Sequence, residues 1–346
     1  MTNLIKVSTG ANSSILSVGI YRATNVVPNS EIIKKIDSSD EWIQQRTGIE
    51  TRRFADKNIS VVDMGTHAAK QAMQRAGITA EQVDLIILAS ITYPHQTPSG
   101  ASAIALNIGA NKAAAFDLSA ACAGFTYGVG LASDCIKGGS AKYVLVIGSE
   151  KLSDFTDPYD RATAFIFSDG AGAVVVGPSE QPKNEPGIGP TAWGSDSDQR
   201  DAITMASWLD FKDNPAPAKE IAWPNIVQEG QKVFRWAVFS VSKVGAKAIE
   251  LAGLQPSDLK AFIPHQANLR IIESMAKDMK LSPDILIADD IRTNGNTSAA
   301  SIPLAMDALL SAHTEMHGQL ALIIGYGAGL AYAAQVVKLP PKPAGY

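Results

Sequence analysis

A cysteine, a histidine, an asparagine-bearing turn and a run of glycines hold most of the chemistry this sequence offers. Cys122 lies in AAAFDLSAACAGFTYGVGLASDCIKGG, residues 113–139, where a strand gives way to a helix. Ala113 to Leu118 read as a short buried strand, Ser-Ala-Ala as a turn, and Phe125, Val129, Ala132 and Ile136 recur at helical spacing until Gly138-Gly139. A thiol at a helix start meets outward-pointing N–H groups and the positive end of the dipole, so its pKa is expected to fall and its thiolate to be a nucleophile. The plainer alternative is a small buried core residue. His265, in Phe262-Ile263-Pro264-His265-Gln266-Ala267-Asn268, falls past a strand and before a helix that Asn268 can cap. Loops at the carboxyl ends of strands are where α/β proteins build sites, although a simple turn histidine fits the same spacing. Arg292-Thr293-Asn294-Gly295-Asn296-Thr297-Ser298 precedes a further helix and reads equally as a tight turn with a cap. Gly325-Tyr326-Gly327-Ala328-Gly329 follows a strand and can aim N–H groups at an anion. Only 21 residues follow Gly325 in a chain of 346, too few for the βαβ unit of a dinucleotide fingerprint. An oxyanion hole is the better use of those amides.

The elements that must position these residues alternate in α/β fashion. Leu16 to Tyr21 reads as a strand, and Ser38-Ser39-Asp40-Glu41 matches a capping box opening a helix through Trp42 and Arg46. Val61 to Arg75 forms a longer amphipathic helix ending at Ala76-Gly77, and Val83 to Ser90 a strongly apolar strand. A helix near Ala101 to Ile108 leads into the cysteine unit, and Tyr143 to Gly148 and Ser168 to Gly177 are further strands. Pro178 to Pro224 breaks the pattern and reads as a long connection with small elements of its own. Beyond it the first half starts again: Ala252-Gly253 echoes Ala76-Gly77 at an offset of 176, and Gly325 echoes Gly148 at 177. A constant offset implies a duplicated α/β unit whose halves, 1–177 and 225–346, pack together with a site at their junction.

With 46% hydrophobic and 18% charged residues the chain is of the soluble globular class. No apolar run is long enough to span a bilayer, and the N-terminus lacks the plan of a signal peptide, so a cytoplasmic protein is expected. Cys122 and Cys135 lie too far apart along one helix to bridge. A net charge of −4 argues against a general nucleic-acid binder while leaving room for a local basic patch.

SSDEWIQQRTGI near the start, DLSAACAGFTYG around Cys122, DRATAFIFSDGAGAVVVG, IPHQANLRII, GNTSAASIP and GYGAGL together resemble β-ketoacyl-acyl carrier protein synthase III, a thiolase-like condensing enzyme, in its actinobacterial form. Six segments in the family's order cover nearly the whole chain. The resemblance implies a five-layered αβαβα sandwich of two duplicated halves, normally a homodimer, which the repeat explains. It implies a triad of Cys122, His265 and Asn296, with backbone N–H groups of Cys122 and Ala328 as the oxyanion hole. The implied reaction is a decarboxylating condensation of an acyl-CoA starter with malonyl-acyl carrier protein, initiating type II fatty acid biosynthesis without a metal or redox cofactor. It further implies Trp42 and Arg161 as a clamp on the adenine of CoA with Arg46 near its phosphates, and Arg235, Arg270 and Lys277 as contacts for the acidic carrier protein. Thr97 falls where the best-known bacterial members carry a phenylalanine against the acyl chain, implying room for branched or longer starters. Asp278 replaces the second lysine of a common pair, and Ser168 stands where glycine is frequent.

Two rivals share parts of this pattern. A papain-like hydrolase also orders Cys, His and Asn, but here the cysteine lies far from the N-terminus and outside any CGSCW-like context. A sister condensing enzyme of specialised, polyketide-type metabolism would share every residue named.

Overall fold

The structure, a computed structural model, describes residues 12–179, 187–207 and 224–343. Five strands form a first sheet: β1 (Ser13–Arg22), β2 (Leu85–Ala89), β3 (Ala114–Leu118), β4 (Val144–Lys151) and β5 (Asp169–Pro178), in the order β1-β5-β4-β2-β3. Five more form a second: β6 (Ala192–Ser195), β7 (Ala261–Pro264), β8 (Leu286–Ile287), β9 (Leu320–Gly327) and β10 (Ala331–Lys338), in the order β6-β10-β9-β7-β8. The two orders are the same. So are the directions: β4-β2-β3 and β9-β7-β8 run parallel, while β5 and β10 are each antiparallel to both neighbours. Leu85 pairs with Val144 in one sheet and Ala261 with Ala321 in the other, so the register repeats along with the order.

Strand parity sends alternate side chains to opposite faces, and sheets covered on both faces read as continuous apolar runs. Helices α1 (Asp40–Thr47), α2 (Val61–Ala76), α3 (Gly100–Ile108) and α4 (Gly124–Lys137) belong to the first half of the chain. Helices α5 (Gly230–Trp236), α6 (Ser242–Leu251), α7 (Leu269–Asp278) and α8 (Ser301–Ala312) belong to the second. On the outside of the first sheet, Met64, Ala68 and Ile104 of α2 and α3 meet Ile86, Leu88 and Ile147. Between the sheets, Phe125 and Val129 of α4 and Ile302 and Met306 of α8 fill the space between Ile87, Val146, Ile263 and Ile323. On the far side, Ile249, Ile272 and Met275 of α6 and α7 pack on Phe262, Leu322 and Ile324. These are the five layers of the αβαβα sandwich.

Two local expectations need correction. The cap of α1 is Ser39, whose Oγ accepts the Trp42 N–H at 3.1 Å. With the helix starting at Asp40, Trp42 occupies the third position and has no acceptor to return a bond, so the Ser38–Glu41 box does not form. Strand β3 is not buried: among the described residues it lies at the sheet edge with β2 as its one neighbour, and Phe116 is 41% exposed. Within the 178–224 connection, Ala192–Ser195 pairs with β10 and supplies the edge of the second sheet; 180–186 and 208–223 lie outside the described residues.

Candidate active site

The two middle helices, α4 and α8, each begin at a tight turn, and the site forms where those turns meet the ends of β7 and β9. Cys122 sits in the turn Ala121–Ala123 ahead of α4, with Ala121 held at φ 44°. A left-handed alanine costs roughly 1–2 kcal/mol, so surrounding packing must hold it. Part of that packing is β9: a Cβ on Gly327 would fall 2.9 Å from Cys122 Cβ and 3.1 Å from its Sγ, so only glycine lets the strand pass this close. The Ala123 N–H closes on the Ala120 carbonyl at 3.0 Å, which leaves the Cys122 N–H ahead of the first bonded turn.

His265 follows β7, its N–H bonded to the Ile324 carbonyl at 2.7 Å, and is 1% exposed. Nδ1 lies 2.7 Å from Ser301 Oγ at the first turn of α8, which points Nε2 away from α8. The Tyr326 ring meets the imidazole edge-on at 5.3 Å. Asn296 is pinned by its backbone: its N–H bonds to the Ile166 carbonyl, and its carbonyl accepts the Ser168 N–H, both at 2.9 Å. Its Oδ1 accepts the Ser298 N–H at 2.8 Å, so the amide group Nδ2 is left as a donor. Cys122, His265, Asn296, Gly327 and Ala328 line one inner cavity, together with Phe167 and Ser298.

The electrostatics correct one expectation. Cys122 does not have a lowered pKa; burial, with the nearby Glu150 carboxylate, pushes the thiol up to about 12. Sequence shows the helix start but not how much protein surrounds the sulfur. Burial also holds His265 down to about 3, so the imidazole is neutral. If Ser301 donates to Nδ1, the proton sits on Nε2, and His265 and Asn296 both present N–H donors to the cavity.

Outside this cavity an open cleft of about 530 Å³ runs to the surface, and Asn296 lines both. Trp42, Arg46, Arg161, Arg235 and Arg270 line the cleft. The guanidinium carbons of Arg46 and Arg161 lie 5.6 and 5.8 Å from the Trp42 ring, within cation–π range, and Arg270 lies 5.7 Å from Phe234. Lys277 is exposed on α7, two turns on from Arg270 and on the same helical face, and does not itself line the cleft. Thr97 is not brought to either cavity: it is exposed on the loop between β2 and α3. Among the described residues no cluster of three or more His, Cys, Asp or Glu is placed to hold a metal, and no helix is long and apolar enough to cross a membrane.

Sequence reasoning missed several supporting residues. Ser301 orients His265, and nothing in a helix-opening serine distinguishes it from an ordinary cap. Ser168 has a role here: its Oγ accepts the Arg53 N–H at 2.8 Å and donates to the Arg53 carbonyl at 2.9 Å, tying the strand 51–54 to the segment that holds Asn296. A glycine there would lose both bonds.

Comparison with known proteins agrees with this architecture. The family model for 3-oxoacyl-[acyl-carrier-protein] synthase III matches residues 116–197, and the model for the C-terminal part of the same family matches 249–339. The β-ketoacyl-[acyl-carrier-protein] synthase III of Streptomyces glaucescens is 54% identical, covering 97% of this chain and 99% of that protein. That of Mycobacteroides abscessus is 52% identical over 99% of both. Among solved structures, the priming β-ketosynthase of the R1128 polyketide biosynthetic pathway is 40% identical, with a TM-score of 0.93 over 98% of this chain and 99% of that one. The synthase III of Aquifex aeolicus is 37% identical, with a TM-score of 0.84 over 94% of this chain and 99% of that one. With near-complete coverage at more than half identity, this chain belongs to the 3-oxoacyl-[acyl-carrier-protein] synthase III family of condensing enzymes.

Proposed function

We propose that this enzyme condenses an acyl-CoA starter with malonyl-acyl carrier protein, releasing CO₂ and giving the β-ketoacyl-carrier protein that opens type II fatty acid synthesis. The observation that carries this reading is the convergence of the Cys122 turn, two neutral N–H donors and the Gly327-Ala328 strand end on one cavity, with an open cleft outside it that shares Asn296. Cys122 attacks the thioester carbonyl, and the developing oxyanion lies against the N–H groups of Cys122 and Ala328. CoA leaves and the acyl group stays on sulfur. Malonyl-carrier protein then enters, and loss of CO₂ leaves an enolate oxygen that needs donors rather than a base. Nε2 of His265 and Nδ2 of Asn296 serve as those donors, and their neutrality spares the site a buried cation. The carbanion attacks the acyl thioester and restores the cysteine.

In this reading Trp42 stacks on the adenine, flanked by Arg161, while Arg46 meets the CoA phosphates. Arg235, Arg270 and Lys277 receive the acidic carrier protein. A homodimer is supported by β3, at the edge of the first sheet with Phe116 41% exposed, and by Leu106 of α3, which is 71% exposed. Thr97, on the loop before α3, would meet an acyl chain only through such a second copy. A specialised-metabolite starter enzyme is favoured by one observation, the 0.93 TM-score to a polyketide priming ketosynthase; the carrier protein accepted separates the two. The test is intact-protein mass spectrometry with acetyl-, isobutyryl- and dodecanoyl-CoA on wild type and Cys122→Ala, followed by malonyl-carrier protein. A wild-type adduct discharged as β-ketoacyl-carrier protein is the expected result, and no adduct from any starter sinks the proposal.

A further inference from the structure

Glu150, the penultimate residue of β4, is fully buried, and the neighbouring Lys151 is engaged elsewhere, its Nζ bonded to the Asp56 and Lys57 carbonyls and 3.6 Å from Asp154. A carboxyl group out of water needs hydrogen bonds in place of its hydration. Here the donors are three consecutive residues in the loop after β2. Oε2 accepts from Ser90 Oγ at 3.1 Å, the Ile91 N–H at 3.1 Å, the Thr92 N–H at 3.2 Å and Thr92 Oγ1 at 2.6 Å, and Oε1 takes a longer bond from the Ile91 N–H at 3.3 Å. The knot is tied in both directions, since the Lys151 N–H donates to Thr92 Oγ1 at 2.9 Å. Both of its strands reach the site. Ile91 and Leu152 line the inner cavity together with Cys122, and they pack with Phe167 and Ile226 in one apolar cluster. That cavity holds only about 50 Å³, so the position of its wall decides how much of a starter fits. The repeat puts the loop in a telling place. Leu88 pairs with Ile147 as Pro264 pairs with Ile324, which makes Ile91 the counterpart of Ala267, and both line the cavity. The loop after β7 brings His265 to the site; the loop after β2 brings an apolar wall.

We propose that Glu150 is a positioning residue for starter selectivity: it locks the 90–92 loop against the end of β4, so that Ile91 stands as a fixed wall for the acyl group carried on Cys122. This rests on the acyl-CoA reading above and deepens it. A carboxylate suits the task because it accepts from N–H and O–H donors at once and offers no donor of its own. An amide in its place would turn one of the two terminal atoms into a donor among the N–H groups of Ile91 and Thr92, and the loop would have to move to relieve the conflict. Ile91 would move with it. The second half has no such lock, because Gly327 stands where the first half has Glu150.

The test is the second-order rate of acylation by acetyl-, isobutyryl- and dodecanoyl-CoA, followed by intact mass at pH 8, above the value of about 7 to which burial raises the Glu150 carboxyl. Glu150→Gln should raise the dodecanoyl-to-acetyl ratio of rates about tenfold, the scale on which an apolar pocket discriminates by size. Thr92→Val keeps the carboxylate and the side-chain shape while removing the hydroxyl bonds to Glu150 and Lys151, and should move the ratio the same way by about threefold. Ile91→Ala removes the wall itself and should move it about as far as Glu150→Gln. A variant that is merely less folded loses every starter alike, so the ratio separates selectivity from stability. Unchanged ratios in folded Thr92→Val and Ile91→Ala overturn the lock even where Glu150→Gln does not fold. A shift in Ile91→Ala alone keeps the wall but overturns the hold of Glu150 on it. A wild type that takes no acyl group from any starter overturns the acyl-CoA reading itself, and the lock with it.

Discussion

Ala121 and Ser298 occupy the same place in the two halves, 177 residues apart, at φ 44° and 48° ahead of the two middle helices. Each turn is admitted by the other half's strand. Gly148 of β4 faces the Ala299 carbonyl, and its counterpart Gly325 of β9 faces Cys122 and Ala123; a side chain on either would collide with backbone. One backbone device is therefore used twice, once to present the Cys122 thiol and once to hold the turn that follows Asn296. Cys122 stands where the second half has Ala299, and Asn296 and Ser298 stand where the first half has Ser119 and Ala121. Duplication supplied two equivalent corners, and their chemistry diverged while their geometry stayed.

The largest break in that comparison is Cys122→Ala, which leaves the second corner intact and should abolish the acyl adduct entirely by intact mass. His265→Ala or Asn296→Ala does the reverse. Each should leave the adduct forming while slowing its discharge onto malonyl-carrier protein by about 10²–10³-fold, the usual loss for one oxyanion donor. If either prevents acylation instead, the division of labour between corners is wrong. Next come the two glycines. Gly148→Ala and Gly325→Ala should each destabilise by about 1–3 kcal/mol through overpacking at the junction of the halves, read by thermal unfolding. Unequal losses would mean the two strand crossings are not energetically equivalent. Ser301→Ala should slow condensation about tenfold, since an unpaired buried Nδ1 costs about 1–3 kcal/mol, and should leave acylation unchanged.

What could be read from the sequence follows the same division. The segments YVLVIG and LALIIG are continuous apolar runs, so their burial and their repeat were legible, as was Cys122 between a strand and a helix. Strand β3 was misread because AAF looks alike at a sheet's edge and at its centre. The Cys122 thiol was misread because a helix start is visible in sequence while the protein packed around the sulfur is not. Ser301 was passed over for a different reason: it acts through His265, 36 positions earlier in the same half, and only the folded chain brings the two together.

Acidification should sharpen the comparison with the smallest effect. In the first half, burial raises Glu150 to about 7 and Asp169 to about 6, above their unfolded values of 4.5 and 3.8. The folded form then binds more protons than the unfolded one in that window, so these groups add stability as pH falls from 7 towards 4.5, and that stability is lost again as pH rises through the folded values. In the second half, His265 is lowered from 6.5 to about 3. The unfolded imidazole protonates first, so its contribution, present above 6.5, is lost as pH falls towards 3. Denaturant unfolding of wild type against Glu150→Gln and His265→Gln from pH 7 to 4.5 separates them. Relative to wild type, Glu150→Gln should lose ground on acidification and His265→Gln should gain it, because each variant removes one of two opposing slopes. Parallel curves for all three would place the charges of both corners in contact with water, and the neutral donors of the second corner would then need another explanation.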